Sequence, residues 1–382
     1  MSEKTSSSRA WLSGIGGILM TAVCLVPFSM FSLYIQPICN DLSVGVGQVS
    51  IASSLWTVGC FISAFFVGKL YEKVNTKVLV ALGAITVFFF QFTISVSTSL
   101  VLIYIGAFLN GVGAMWCGMA MAQIIISKWF VKKQGTMMSL CMVVTTLVAA
   151  VMFMVAGGMV QSVGYRTVTL IIGIVAGVLG IVAALLVSGE PSKYGMKPYG
   201  AEEGGGEDVD ASAVAPSLSW GKVIKSPVFW AILVICAFGG FVAQGFNAQG
   251  AVILGSFGID SGAAAGALSI FTLAGMFTVM GFGMLCDKIG PKNAMTIFAV
   301  IVAVVLLLAF MWTGWIGAVV FAIGMAFVSP ISSLYGPNIA PRIFGPGASG
   351  DMIGIINVCG SIGSTLGPIC LGFVYDAMGT YT

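Results

Sequence analysis

The chain reads as an all-α polytopic membrane protein, and three observations carry that reading. Of its 382 residues 58% are hydrophobic and 8% charged, too little polar surface to cover a soluble domain, so lipid must be the solvent. Apolar windows of the ~20 residues that a spanning helix needs recur along the chain. The sixteen Lys and Arg residues fall almost entirely in alternate gaps between those windows. Because cytoplasmic loops hold the excess of cations, that pattern sets the direction of each crossing. Runs such as Ala299 to Phe310 show no alternation of polarity, which excludes a membrane barrel.

Lys4 and Arg9 precede the first window, 12–38. It is too long for a cleaved signal peptide and is expected to be helix 1. The windows 46–71 and 76–97 flank Lys69, Lys73 and Lys77, and 100–127 and 135–162 flank Lys128, Lys132 and Lys133. The sixth window is 166–188, and only Arg166 lies on the side opposite the other cations. Lys193, Lys197, Lys222 and Lys225 precede the seventh window, 227–257. The remaining windows are 263–285, 292–312, 314–336 and 350–376, with Lys288 and Lys292 after the eighth and Arg342 after the tenth. The N-terminus and the long middle loop are therefore expected in the cytoplasm, in a multi-pass protein of the inner (plasma) membrane.

That middle loop divides the chain. Glu202, Glu203, three glycines, Glu207, Asp208 and Asp210 form a stretch almost without apolar content, a flexible spacer. Within 219–226, Trp220 and Ile224 lie four apart with Lys222 and Lys225 on another face, the pattern of a short helix on the membrane surface. The expected organisation is an N-terminal bundle over 1–188, a linker over 189–226 and a C-terminal bundle over 227–382.

Some chemistry is absent from the composition. There is no histidine, which removes the usual general base and nitrogen ligand, and the nine cysteines are scattered within helices without CxxC spacing. The helices offer no paired carboxylates and no nucleophile beside a base, so no enzyme activity, no metal and no cofactor are expected. The net charge of +3 reflects loops facing anionic lipid and implies no nucleic-acid partner.

A weak internal repeat supports two homologous halves. Gly68, Leu70, Glu72, Lys73 and Lys77 follow helix 2, and Gly283, Leu285, Asp287, Lys288, Gly290, Pro291 and Lys292 follow helix 8 at the same spacing. At these residues the chain resembles the major facilitator superfamily, whose loop between helices 2 and 3 reads Gly-x-Leu-x-Asp-Arg-x-Gly-Arg-Lys. The second copy is the better preserved, since the first has Glu72, Asn75 and Thr76 at departing positions. The resemblance implies two pseudo-symmetric six-helix bundles that move a small-molecule substrate by alternating access, as a monomer. It also implies gating loops at Glu72, Lys73, Gly283, Asp287 and Lys288, with Glu72 approaching Gly350 and Asp287 approaching Gly135.

Further stretches resemble a narrower branch, the oxalate/formate antiporters and monocarboxylate transporters. These are Lys128-Trp129-Phe130 followed by Lys132, Lys133 and Gly135, then Ser226-Pro227 before Phe229-Trp230, and Gly372 through Tyr375-Asp376 to Gly379 and Tyr381. In that branch a cation on helix 8, and often another on helix 11, meets the substrate carboxylate. Here 268–284 and 353–374 carry no charge, and Thr278 stands near the expected position. The chain also stops where a twelfth helix is expected to begin, as a fragment lacking it or as an eleven-helix protein.

The candidate substrate-binding residues are amides, hydroxyls and aromatic rings on the helices that the resemblance assigns to a central cavity. They are Tyr34, Asn110, Trp116, Gln244, Asn247, Tyr335, Asn357 and Ser361. Gln244 and Asn247 share one helix face, as do Asn357 and Ser361. A lone amide in a membrane helix serves either an interhelical hydrogen bond or a ligand. The expected function is a secondary transporter of a small organic solute, with a monocarboxylate implied by the branch. Export of amphipathic compounds and a transporter-like membrane sensor are the alternatives.

Overall fold

The computed structural model describes residues 2–130, 134–189, 191, 226–312, 314–331 and 346–379. The linker and its surface helix, together with Tyr335, lie outside these residues, and so do the side chains of Glu72, Asp287 and Asn357. The described chain is helical, in the order α1 Ser2–Ser29, α2 Phe31–Leu42, α3 Val46–Lys73, α4 Thr76–Val96, α5 Leu100–Cys117, α6 Met119–Trp129, α7 Gln134–Val163 and α8 Tyr165–Leu186. Then follow α9 Pro227–Gly255, α10 Ser261–Ile289, α11 Pro291–Met311, α12 Gly314–Ala326 and α13 Pro346–Met378. Among the described residues ten helices are long and apolar enough to cross a membrane, and α12 is a shorter apolar helix. This is a multi-pass membrane protein, and the observed ends lie within a few residues of most of the windows read from hydropathy.

Two spans that read as continuous are broken, for local reasons. Pro27 lies in the last turn of α1, where its ring removes a donor, and the helix resumes at Phe31 after Met30. The fourth span divides at Gly118, which leaves helical geometry at φ −104° and ψ −158° between α5 and α6. Caps follow the sequence closely. Asn75 accepts from the Lys77 amide at the start of α4, and the Asp260 carboxylate accepts from the Ala263 amide at the start of α10.

The chain forms two compact units, one of residues 1–31 and 55–209, the other of 32–54 and 210–382. In the first, α4 packs on α5 and α8, while α1 packs on α6, α7 and α8. The core holds Met20, Leu79, Val87, Trp129, Phe130 and Cys141, all 2% exposed or less. In the second unit α9 packs along α13, and α12 along α10 and α11. Its core centres on Phe229, Cys236, Phe282 and Phe298.

Arg166, the cation out of place by topology, has a structural use. Its guanidinium donates to the Ser97 carbonyl at 3.1 Å, at the C-terminal end of α4 where carbonyls lack helical partners. Trp129 acts in the same way for α8. Its indole N–H reaches the carbonyls of Ser188 at 3.0 Å and Gly189 at 2.7 Å, tying the end of α6 to the end of α8. Trp129→Phe removes the donor together with the five-membered ring that carries it, so the melting temperature of the purified protein should fall by the equivalent of about 1 kcal/mol or more. An unchanged melting temperature would show that the bonds to Ser188 and Gly189 do not hold the two helix ends together.

Candidate functional site

In the first unit the site begins with glycines that let backbones touch. A Cβ on Gly111 of α5 would lie 2.9 Å from the carbonyl carbon of Trp56 on α3, and one on Gly59 would lie 3.0 Å from the Val112 nitrogen. Such crossings are how membrane helices gain packing energy without a hydrophobic drive. On α4, Thr93 faces Gly106 and Thr86 faces Gly113, so the antiparallel register puts Asn110 level with Phe89, next to Phe90.

Aromatic rings wall this level. Phe28, next to the α1 break, stacks on Trp56 with ring centres 3.8 Å apart and planes 14° from parallel. Phe90 lies 6.4 Å from Phe28 and 5.7 Å from Phe31. The Gln91 amide donates to the Pro27 carbonyl at 2.9 Å, holding the broken end of α1 against α4.

In the same unit several polar atoms are buried without a hydrogen-bond partner among the described residues. Asn110 is 1% exposed, and both its amide nitrogen and its amide oxygen are unpartnered. The same holds for the indole nitrogens of Trp56 and Trp116 and for the Gln91 amide oxygen. A buried polar atom with no partner costs about 1 to 3 kcal/mol, so a group of them marks a place where the fold holds donors and acceptors open. Asn110 and Trp116, both chosen from the sequence, belong to this unit, though six residues on one helix put them about 120° apart. Trp56 went unrecognised as a site residue. Its signal was position, an indole three residues before the glycine at which α3 meets α5.

In the second unit Tyr34 is fully buried with its hydroxyl unpartnered. Asn247 is exposed and turns its amide back to the Ala243 carbonyl of its own helix at 3.2 Å, while Gln244 and Ser361 are partly buried. Thr278, near the position where the branch resemblance expects a cation, donates to the Ala326 carbonyl at 2.8 Å and so joins α10 to α12. Of the expected gating residues, Lys73 and Lys288 lie in the last turns of α3 and α10, and a Cβ on Gly283 would meet nothing within 4 Å. The expected approaches of Glu72 and Asp287 rest on side chains outside the described residues.

A second polar cluster in this unit was missed by sequence reasoning. The Asp376 carboxylate near the end of α13 accepts from the backbone N–H of Val46 at 2.7 Å and of Gly47 at 2.8 Å, the first turn of α3. The fully buried Gln249 amide on α9 donates to Ser50 Oγ at 2.9 Å and to the Pro368 carbonyl at 2.6 Å. Ser50 in turn donates to the Val46 carbonyl at 2.7 Å, and Ser54 donates to the Thr365 carbonyl at 2.5 Å. Bare glycines make this possible, since a Cβ on Gly372 would lie 2.5 Å from the Gly47 Cα and 2.9 Å from the Gln249 amide nitrogen.

Comparison with known proteins agrees with this architecture. The chain is 25% identical over 393 residues to an agnestins efflux protein of Paecilomyces divaricatus, covering 98% of this chain and 84% of that one. It is 22% identical over 382 residues to the "Probable hexose phosphate transport protein" of Chlamydia pneumoniae, covering 91% and 81%. Among solved structures, a point-mutant form of the nucleoside transporter NupG matches with a TM-score of 0.76 at 14% identity, over 98% of this chain and 93% of that one. A bacterial homologue of the human lysosomal transporter Spinster matches with a TM-score of 0.72 at 16% identity, over 97% and 83%. The family model for the Major Facilitator Superfamily matches residues 17–368. With that match over most of its length, and with the helical fold described above, the chain belongs to the Major Facilitator Superfamily.

Proposed function

We propose that this membrane transporter moves a small, uncharged polar organic solute by alternating access, binding it at Asn110 between the Trp56 and Phe28 rings and Phe90. The observation that carries this reading is the Asn110 amide, buried with donor and acceptor both open. A planar amide offering one of each recognises a neutral hydrogen-bonding edge, and aromatic walls favour a flat or partly apolar body. A carboxylate would need a compensating cation, and Pro227–Gly255 contains none, while the cations of α10 and α11 lie at the Lys288 and Lys292 end. The monocarboxylate branch therefore has motif support without the charge its chemistry requires.

In this reading the protein sits in the plasma membrane as a monomer, with the Lys-rich gaps and the N-terminus cytoplasmic. It is organised as halves over 1–188 and 227–382 joined by the linker. Tyr34 in the first half, and Gln244, Asn247, Tyr335, Asn357 and Ser361 in the second, remain proposed contacts.

The test is thermal stabilisation of the purified protein by panels of neutral metabolites and monocarboxylates, followed by uptake into proteoliposomes. Concentration-dependent stabilisation by neutral solutes is expected, abolished in Asn110→Leu. Stabilisation by carboxylates alone would overturn the assignment. Export of amphipathic compounds is the second reading, favoured by the 25% identity to the efflux protein. It predicts accumulation of such compounds in cells lacking the transporter and no uptake of neutral metabolites.

A further inference from the structure

We propose that the first unit holds a binding site for one soft monovalent metal ion, Cu(I) or Ag(I), between α1 and α5, with the sulfurs of Cys24 and Cys117 as ligands and the Met20 thioether beside them. The site goes beyond the transport reading and does not depend on the solute assigned to Asn110.

The two thiols cross one seam in opposite directions. Cys24 Sγ donates to the Ala114 carbonyl of α5 at 3.8 Å, and Cys117 Sγ donates to the Met20 carbonyl of α1 at 3.7 Å. Each thiol therefore reaches the turn of the facing helix that leads into the other cysteine. A Cβ on Gly118, next to Cys117 in the chain, would lie 3.3 Å from Cys24 Sγ. Cys24, Cys117 and Met20 are all 0% exposed. Met20 and Cys24 stand four apart in α1, so their side chains are neighbours on one face. Met121, Met137 and Cys141 belong to the same core as Met20 and Cys117 and are 2% exposed or less, so the surroundings add sulfur rather than charge.

The donors select the ion. Thiolate and thioether are soft ligands of the kind that favour Cu(I). Structural zinc takes four ligands, whereas among the described residues no group of three or more His, Cys, Asp or Glu could hold a metal ion. Two thiols and a thioether make a site of low coordination number, which suits a monovalent ion with a filled d shell. The charge also balances in an apolar core. The ion displaces one thiol proton to water and binds that thiolate, so cation and thiolate cancel, while the second cysteine and Met20 donate lone pairs as neutral groups. What binding gives up is two thiol–carbonyl contacts, and a thiol is a weak donor. The lack of CxxC spacing does not count against the site, because its ligands come from two helices.

The test uses the full-length protein, purified in detergent under reducing conditions and titrated with Cu(I) held by the chelator bathocuproine disulfonate. The protein should draw one equivalent from the chelator and melt at a higher temperature with it, since an ion that binds the folded chain stabilises it. In Cys24→Ala and in Cys117→Ala the affinity should fall by roughly a hundredfold, at least the loss that follows removal of an outer partner of a metal ligand. Met20→Leu conserves volume and removes the sulfur, so it should weaken binding about tenfold with little change in the metal-free melting temperature. That variant separates loss of a ligand from loss of packing. Cys236→Ala removes a thiol equally buried in the second unit and should bind as the parent does. Failure of the parent to take Cu(I) from the chelator, parental affinity in the double variant Cys24→Ala and Cys117→Ala, or an equal loss in Cys236→Ala would overturn the proposal. No solute is present, so a failed uptake assay beside intact Cu(I) binding removes the transport assignment and leaves the metal site standing.

Discussion

Asn110→Leu should produce a protein that is more stable than the parent and unable to bind its solute. The two side chains share the same branched skeleton of heavy atoms, although the leucine methyls are bulkier and ask the α5 face to relax slightly. What changes is that two amide atoms, both buried and unpartnered, are exchanged for carbon. Leaving such atoms unpaired costs roughly 1 to 3 kcal/mol each, and replacing them with an apolar group of similar shape recovers part of it. A gain of about 1 kcal/mol is expected once relaxation of the site is allowed for. A rise in melting temperature together with loss of solute-induced stabilisation is the signature of a residue kept for binding. A fall in melting temperature would mean that Asn110 holds helices together, and the binding site would have to be sought elsewhere.

Gly363→Val should be the most damaging single change. A Cβ at Gly363 would lie 2.7 Å from the carbonyl carbon of Ala237, and the obstacle is backbone, which cannot rotate away. The α9 and α13 pairing therefore has to separate along its length, including the Gly240 and Gly367 contacts above and below. Overpacking of this kind costs about 3 kcal/mol or more. A marked drop in the folded, monodisperse fraction after detergent extraction would be the readout. Gly158→Ala is the matched control, because a Cβ there meets nothing within 4 Å. Being in the interior of α7, it should be neutral or stabilising by up to about 1 kcal/mol through helix propensity. If both substitutions were equally tolerated, close backbone approach would not be what holds α9 to α13.

The spans were legible because hydropathy over ~20 residues is a strong signal in a chain whose solvent is lipid. Caps such as Asn75 and Asp260 follow from local chemistry. The break at Met30 was not read, although Pro27 marks it, because membrane helices often tolerate proline when neighbours satisfy the freed groups, as Gln91 does here. The site was legible in part. Asn110 stands out as an amide among apolar residues, but Trp56 looks like any aromatic of a membrane helix until its partner Phe28 is in place. Gln244 and Asn247 drew attention by their spacing, while the buried amide of that helix is Gln249. Periodicity says which residues share a face; it does not say which face meets another helix. Asp376 was visible as part of a motif, yet its partners lie about 330 residues away, a separation at which no local pattern operates.

The uncharged character of the buried network has an electrical consequence. Moving one elementary charge across the membrane field costs about 2.3 kcal/mol per 100 mV, and devices that sense voltage do so by carrying such charges through it. Gln249, Ser50 and Ser54 are neutral, and Asp376 stands near the end of α13, where its carboxylate would traverse little of the field on release. Parting these groups would transfer almost no charge across the bilayer, so their hydrogen bonds hold with the same balance in a polarised membrane as in a depolarised one.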